Sequence, residues 1–156
     1  METYVAFHLC WLLFSMLIQN GFAHPNFTQF IPHGQHVPDP CTAGQFWQSV
    51  GHTSHEKIIM SANDKAKSWN PFGADFKKEK ENGTTLEHIW ANLCWIDSDG
   101  DGRTNGVELE DPTCTWTYAS ANPGNASKLT HPGIPEVKDG TGWKLSPATK
   151  EKYCPA

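Results

Sequence analysis

Residues Asp97–Glu108, DSDGDGRTNGVE, constrain this chain more than any other stretch. Asp97, Asp99 and Asp101 place a short carboxylate at every second residue. Gly102 follows where a tight loop needs φ > 0, and Asn105 and Glu108 add two more oxygen-bearing side chains. These are positions 1, 3, 5, 6, 9 and 12 of the EF-hand calcium loop; Arg103, at position 7, need offer only its backbone carbonyl. Calcium is a hard cation that takes six to eight oxygens, and without a cation such carboxylates would repel one another over a few ångströms. The expected cofactor is therefore Ca2+.

The flanks say what kind of calcium unit to expect. Thr84 and Glu87 have capping-box spacing. Leu86, Ile89, Trp90, Leu93 and Cys94 then recur at i, i+3, i+4, i+7 and i+8, which predicts a helix with one apolar face running into Asp97. Beyond the loop, Val107–Glu110 allows one turn at most before Asp111-Pro112 stops it. A loop with a truncated exit helix suits a structural ion rather than a calcium switch.

The rest of the 156 residues is enough for one domain. Val5–Ile18 is an apolar run of signal-peptide length, followed by Gly21-Phe22-Ala23, so residues 1–23 read as a signal peptide and 24–156 as a single exported domain. The run is shorter than the ~20 apolar residues a membrane span needs, and no later stretch is apolar enough. Removing that leader takes the formal charge from −5 to −4 and leaves no basic stripe, which argues against nucleic acid as a partner. Four cysteines remain, Cys41, Cys94, Cys114 and Cys154. An even number in an exported chain reads as two disulfides, with three connectivities open. Sequons at Asn26, Asn82 and Asn125 agree with export.

In chain order, His24–Pro40 is a proline-rich extended arm with a turn at Ile31–Gly34. Phe46, Trp47 and Val50 supply apolar bulk. His55–Trp69 fits a helical face loosely, Asn70–Gly73 reads as a break, and Ala74–Glu81 as a short helix in which Phe72 and Phe76 can share a face. Cys114–Tyr118 has strand chemistry, Ala119–Pro135 reads as loop, and Trp143–Leu145 as a last short strand. The expected architecture is α+β: a small disulfide-linked secreted domain with one EF-hand-like calcium loop, short strands and much irregular chain.

An ordered set of residues resembles the temptin family of secreted molluscan water-borne protein pheromones. It comprises Ile31–Gly34, Val37-Pro38, Trp47, Val50–His52, Asn70–Phe76, Trp90, Leu93-Cys94, Asp97–Leu109, Asp111-Pro112, Cys114 and Trp116, with weaker support from His131–Gly133 and Cys154. The resemblance covers about Phe30–Trp116 and departs from the family at Thr53–Trp69, where a short glycine-rich link is expected. It implies an extracellular attractant acting with other secreted pheromone proteins or a receptor, and it implies the pairs Cys41–Cys154 and Cys94–Cys114. A loop wrapped around one ion brings its ends together, which a Cys94–Cys114 bond would then lock.

Interface aromatics make Phe46, Trp47 and Trp69 candidates for partner contact, against the simpler reading that they are core. His52, His55 and Glu56 fit no zinc motif. Cleavage after Ala23 would expose His24, whose α-amine and imidazole could chelate copper in an oxygenase; the family likeness opposes this. There is no nucleophile motif and no glycine-rich phosphate loop, so a non-enzymatic role is expected. The competing reading is a generic calcium-stabilised extracellular binding or matrix module.

Overall fold

The computed structural model describes residues 27–53 and 69–154. The signal-peptide reading, His24, Asn26, His55 and most of the Thr53–Trp69 segment lie outside them. Among the described residues the α-helices are α1 (Pro71–Glu81), α2 (Ile89–Leu93), α3 (Asn105–Glu108) and α4 (Pro147–Tyr153), with one antiparallel hairpin of β1 (Glu136–Asp139) and β2 (Gly142–Leu145). Its register pairs Glu136 with Leu145 and Lys138 with Trp143. Helices, a two-stranded sheet and long irregular connections bear out the α+β reading at that level. No described helix is long and apolar enough to cross a membrane.

The α1 helix begins three residues before the expected start. Asn70, read as part of a break, is its N-cap: Asn70 Oδ1 accepts from Gly73 N–H at 2.9 Å, and Pro71 takes the first-turn position where a missing N–H does no harm. Asn70 Nδ2 also donates to Val50 O at 2.7 Å and His52 O at 3.0 Å, tying the helix start to the Val50–His52 corner. Gly73 must be glycine, since a Cβ there would stand 1.9 Å from Gly51 O. Phe72 and Phe76 are both buried, as their shared face requires.

The helix before the acidic loop keeps its predicted face but not its predicted start. Ile89, Trp90, Leu93 and Cys94 are buried, yet Leu86–His88 is a 3-10 turn and only Ile89–Leu93 is α-helical. The capping box does not form. Thr84 Oγ1 donates to Glu79 Oε2 of α1 at 3.1 Å instead, and Thr85 Oγ1 pairs with His88 Nδ1 at 2.9 Å.

Cys114–Tyr118 is not a strand. Cys114 sits at φ +53°, and the buried Asp111 carboxylate takes the hydrogen bonds a ladder would have used: Thr115 N–H at 3.0 Å and Trp116 N–H at 3.1 Å. Asp111 Oδ2 also accepts from Trp90 Nε1–H at 2.8 Å, so one carboxylate braces α2 against the chain after the loop.

Two cores result. The larger gathers Phe30, Ile31, Val37, Val50, Phe72, Ile89, Trp90, Leu93 and Leu109 around α1 and α2. The smaller is Trp47, Ile134 and Tyr153, flanked by Leu145 and the Cys41–Cys154 disulfide. Helix α4, capped by Ser146 Oγ accepting from Thr149 N–H, delivers Tyr153 and Cys154 to it. Trp47 is 1 % exposed there, which removes it from the candidate partner surface.

His131 lies edge-on to Trp47 with ring centroids 5.0 Å apart, accepts from Gly133 N–H through Nδ1, and is 1 % exposed. Burial pushes its pKa down to about 3. The unfolded chain, titrating near 6.5, then binds this proton first as pH falls. Its stabilising contribution is complete above pH ~6.5 and is lost between ~6.5 and ~3, with a slope approaching ~1.4 kcal/mol per pH unit. Urea unfolding across that range should show this slope in the wild type and a flatter one in His131→Gln; parallel profiles would exclude the assignment.

Candidate metal centre

The acidic loop is built by its own side chains. Asp97 accepts from Gly100 N–H and Gly102 N–H, both at 2.9 Å, so the residue at position 1 folds the chain over itself. Gly102 adopts φ +95°, the left-handed conformation its position demands. Asp99 accepts from Asp101 N–H at 3.2 Å, and Asp101 from Arg103 N–H at 2.9 Å. The result gathers one oxygen each of Asp97, Asp99 and Asp101 within 4.8 Å of one another.

The far side of the loop is the one-turn helix α3, capped by Thr104 Oγ1, which accepts from Val107 N–H at 3.3 Å. This turn starts at Asn105, two residues earlier than Val107, and ends as Glu110 enters φ +59°. Asn105 N–H donates to Ile96 O at 2.7 Å and Gly106 N–H to Cys94 O at 2.9 Å, closing the neck of the loop. The Cys94–Cys114 disulfide lies beside that neck, with Cys94 fully buried. Both expected pairs, Cys94–Cys114 and Cys41–Cys154, are thus formed.

Three side-chain oxygens in this loop are buried and receive no hydrogen bond from any described residue: Asp99 Oδ2, Asn105 Oδ1 and Glu108 Oε2. They belong to loop positions 3, 9 and 12. Asn105 and Glu108 are 0 % and 1 % exposed, and Asn105 spends its amide hydrogens on Leu93 O and Ser98 Oγ, which fixes the oxygen as the unfilled acceptor. Buried acceptors are normally satisfied by a hydrogen bond, an ordered water or a cation, and three of them in one loop are the pattern a cation site presents. Burial, with the nearby Asp101 charge, pushes the Asp99 carboxyl up to about 7. Burial, with the Asp99 charge, pushes Glu108 up to about 9 against the opposing pull of Arg103. A divalent ion beside these oxygens would favour the charged carboxylates and so offset both shifts. The donor set is all oxygen, so the residues fit calcium and not a metal that prefers nitrogen or sulfur.

Sequence reasoning missed the shell around this loop. Arg103 does more than offer a carbonyl: its guanidinium folds back, Nη2 lying 2.8 Å from Asp101 Oδ2, 3.4 Å from Glu108 Oε1 and 3.0 Å from Glu136 Oε2. Nη1 donates to Thr130 Oγ1 at 2.8 Å, and Thr130 Oγ1 donates to Glu108 Oε1 at 3.1 Å. Trp143 covers the guanidinium, 3.7 Å from Cζ to ring centroid. Thr130, Glu136 and Trp143 come from distant chain with no spacing signal; Trp143 was readable only as strand chemistry.

Of the remaining candidates, Phe46 is exposed and Trp69 half-buried, its ring stacked on His52 at 4.4 Å. Asn82 and Asn125 are both exposed.

Comparison with known proteins gives two matches. The family model described as Temptin C-terminal matches residues 21–134. The chain is also 40% identical, over 126 residues, to temptin of Aplysia californica, covering 81% of this chain and 89% of that protein. No solved structure matches.

Proposed function

The chain belongs to the temptin family, and from that premise we propose that it is a secreted, water-borne attractant protein that works by binding other secreted pheromone proteins or a receptor, its shape held by one structural calcium ion. Likeness to temptin along most of both chains supports the signalling role. The observation that carries the metal is the trio of unfilled buried acceptors on Asp99, Asn105 and Glu108. Export of residues 24–156 after removal of 1–23 belongs to the same reading, as do two disulfides and the sequons at Asn26, Asn82 and Asn125.

Asp97, Asp99, Asp101, Asn105 and Glu108 would hold the ion through side-chain oxygen, with the Arg103 carbonyl as the sixth protein contribution. Bound calcium supplies charge neutralisation to a loop whose carboxylates otherwise repel. The protein then presents a fixed surface, on which Phe46 and Trp69 are the remaining aromatic candidates for partner contact. Extracellular sites of ~10⁻⁴ M affinity are occupied at millimolar calcium, and the roughly tenfold excess over Kd is worth ~1.4 kcal/mol of stability.

Two measurements test this. Melts in calcium and in chelator should differ by several degrees; superimposable curves remove the metal. The calcium-loaded protein, immobilised and exposed to water conditioned by the source animal, should retain a small secreted protein. Retention of nothing removes the partner-binding role.

A further inference from the structure

We propose that Arg103 sets the affinity of the metal loop: its guanidinium is a built-in counter-cation that holds the loop together without an ion and weakens its grip on one. This rests on the calcium reading above. Position 7 contributes only a carbonyl to such a loop, so its side chain is free to point into water. Here it does the opposite. The Arg103 side chain is 10 % exposed and touches Asp101, Glu108 and Glu136, whose side chains are 1 %, 0 % and 9 % exposed. Asp101 and Glu108 are themselves loop positions 5 and 12, so the guanidinium already neutralises two of the carboxylates an ion would claim.

The arrangement is enforced from outside the loop. Glu136 on β1 holds Arg103 Nη2 through its carboxylate and donates its own N–H to Asp101 Oδ2 at 3.2 Å. Trp143 on β2 covers the guanidinium face and reduces its access to water. A surface arginine would be screened and would matter little; a buried one acts through a low dielectric and matters a great deal. Calcium entering the loop meets this fixed positive charge and must share Asp101 and Glu108 with it. Ligand charge count and site rigidity are what place such loops between nanomolar and millimolar affinity. A resident cation moves this one toward the weak end, where it fills from an ion-rich medium.

The test is calorimetric calcium titration of the wild type, Arg103→Gln, Arg103→Lys and Trp143→Leu, with an ion-free melt of each. Arg103→Gln removes the charge, so it should bind calcium at least tenfold more tightly while its ion-free form melts below that of the wild type. Arg103→Lys keeps the charge and should stay within about threefold of the wild type. Trp143→Leu opens the guanidinium to water and should tighten binding about threefold; it carries the test if Arg103→Gln does not fold. Unchanged or weaker binding in Arg103→Gln, or in Trp143→Leu where that variant must serve, overturns the proposal, because Arg103 would then only position ligands. A wild type that binds no calcium fails the underlying metal reading instead, and the two failures are told apart by that first titration.

Discussion

Replacing Asp111 with alanine is expected to destabilise the folded protein by roughly 3–5 kcal/mol, a larger loss than any single calcium ligand should cause. The carboxylate is 2 % exposed and accepts from the Trp90 indole and from the Thr115 and Trp116 amides. Truncation leaves two buried donors, Trp90 Nε1–H and Trp116 N–H, without an acceptor, and each bond to a charged acceptor is worth ~1.5–3 kcal/mol. Asp111→Asn keeps the shape and one carbonyl oxygen, so it should lose about half as much. Urea unfolding with disulfides intact measures both; an alanine variant within 1 kcal/mol of the wild type, on the ordinary scale of surface substitutions, would show that water replaces the carboxylate there.

The second large effect concerns the two disulfides, which should not be equivalent. Cys41 and Cys154 are 113 residues apart, Cys94 and Cys114 only 20. Chain entropy alone assigns ~5 kcal/mol to the longer closure and ~3 kcal/mol to the shorter. The longer one also anchors the small core of Trp47, Ile134 and Tyr153. Cys41→Ser with Cys154→Ser should therefore lower stability more than the Cys94–Cys114 double replacement. The shorter bond lies at the neck of the acidic loop, so its removal should weaken calcium binding by about tenfold, whereas removal of the longer one should leave it nearly unchanged. The pair of double variants, melted and titrated with calcium, decides; equal calcium affinity in both would separate the disulfide from the loop.

How much of this was legible beforehand follows the distance over which each feature is encoded. The acidic loop was readable because its oxygens are local, one residue apart in the alternating stretch, and the burial of Ile89, Trp90 and Leu93 was readable because helical period repeats every few residues. The α1 start was also present as Asn70-Pro71-Phe72-Gly73, but an Asn-Pro pair reads as a break as easily as a cap. The same holds for Ser146-Pro147 before α4. Cys114–Tyr118 has strand composition and no strand, because a side chain 21 positions from its Trp90 partner supplies the acceptor instead of a neighbouring strand. The grip of Glu136 and Trp143 on Arg103 could not be read at all: it joins residues 33 and 40 positions apart with no period, and only the folded hairpin brings them together. Trp47 reads more readily as core than as surface, and Ile134 and Tyr153 are what cover it.

The corner joining Val50–His52 to α1 has one more consequence. His52 bridges Trp69 and stacks on it, while Asn70 N–H donates to Gly51 O at 3.1 Å, so residues 51–52 and 69–70 are clamped side by side. The entropy of closing a connection between such fixed ends grows slowly with its length, by about 0.6 kcal/mol per doubling. A clamp of this kind makes the number of residues between its two sides a cheap variable, since an insertion there costs the fold little closure entropy.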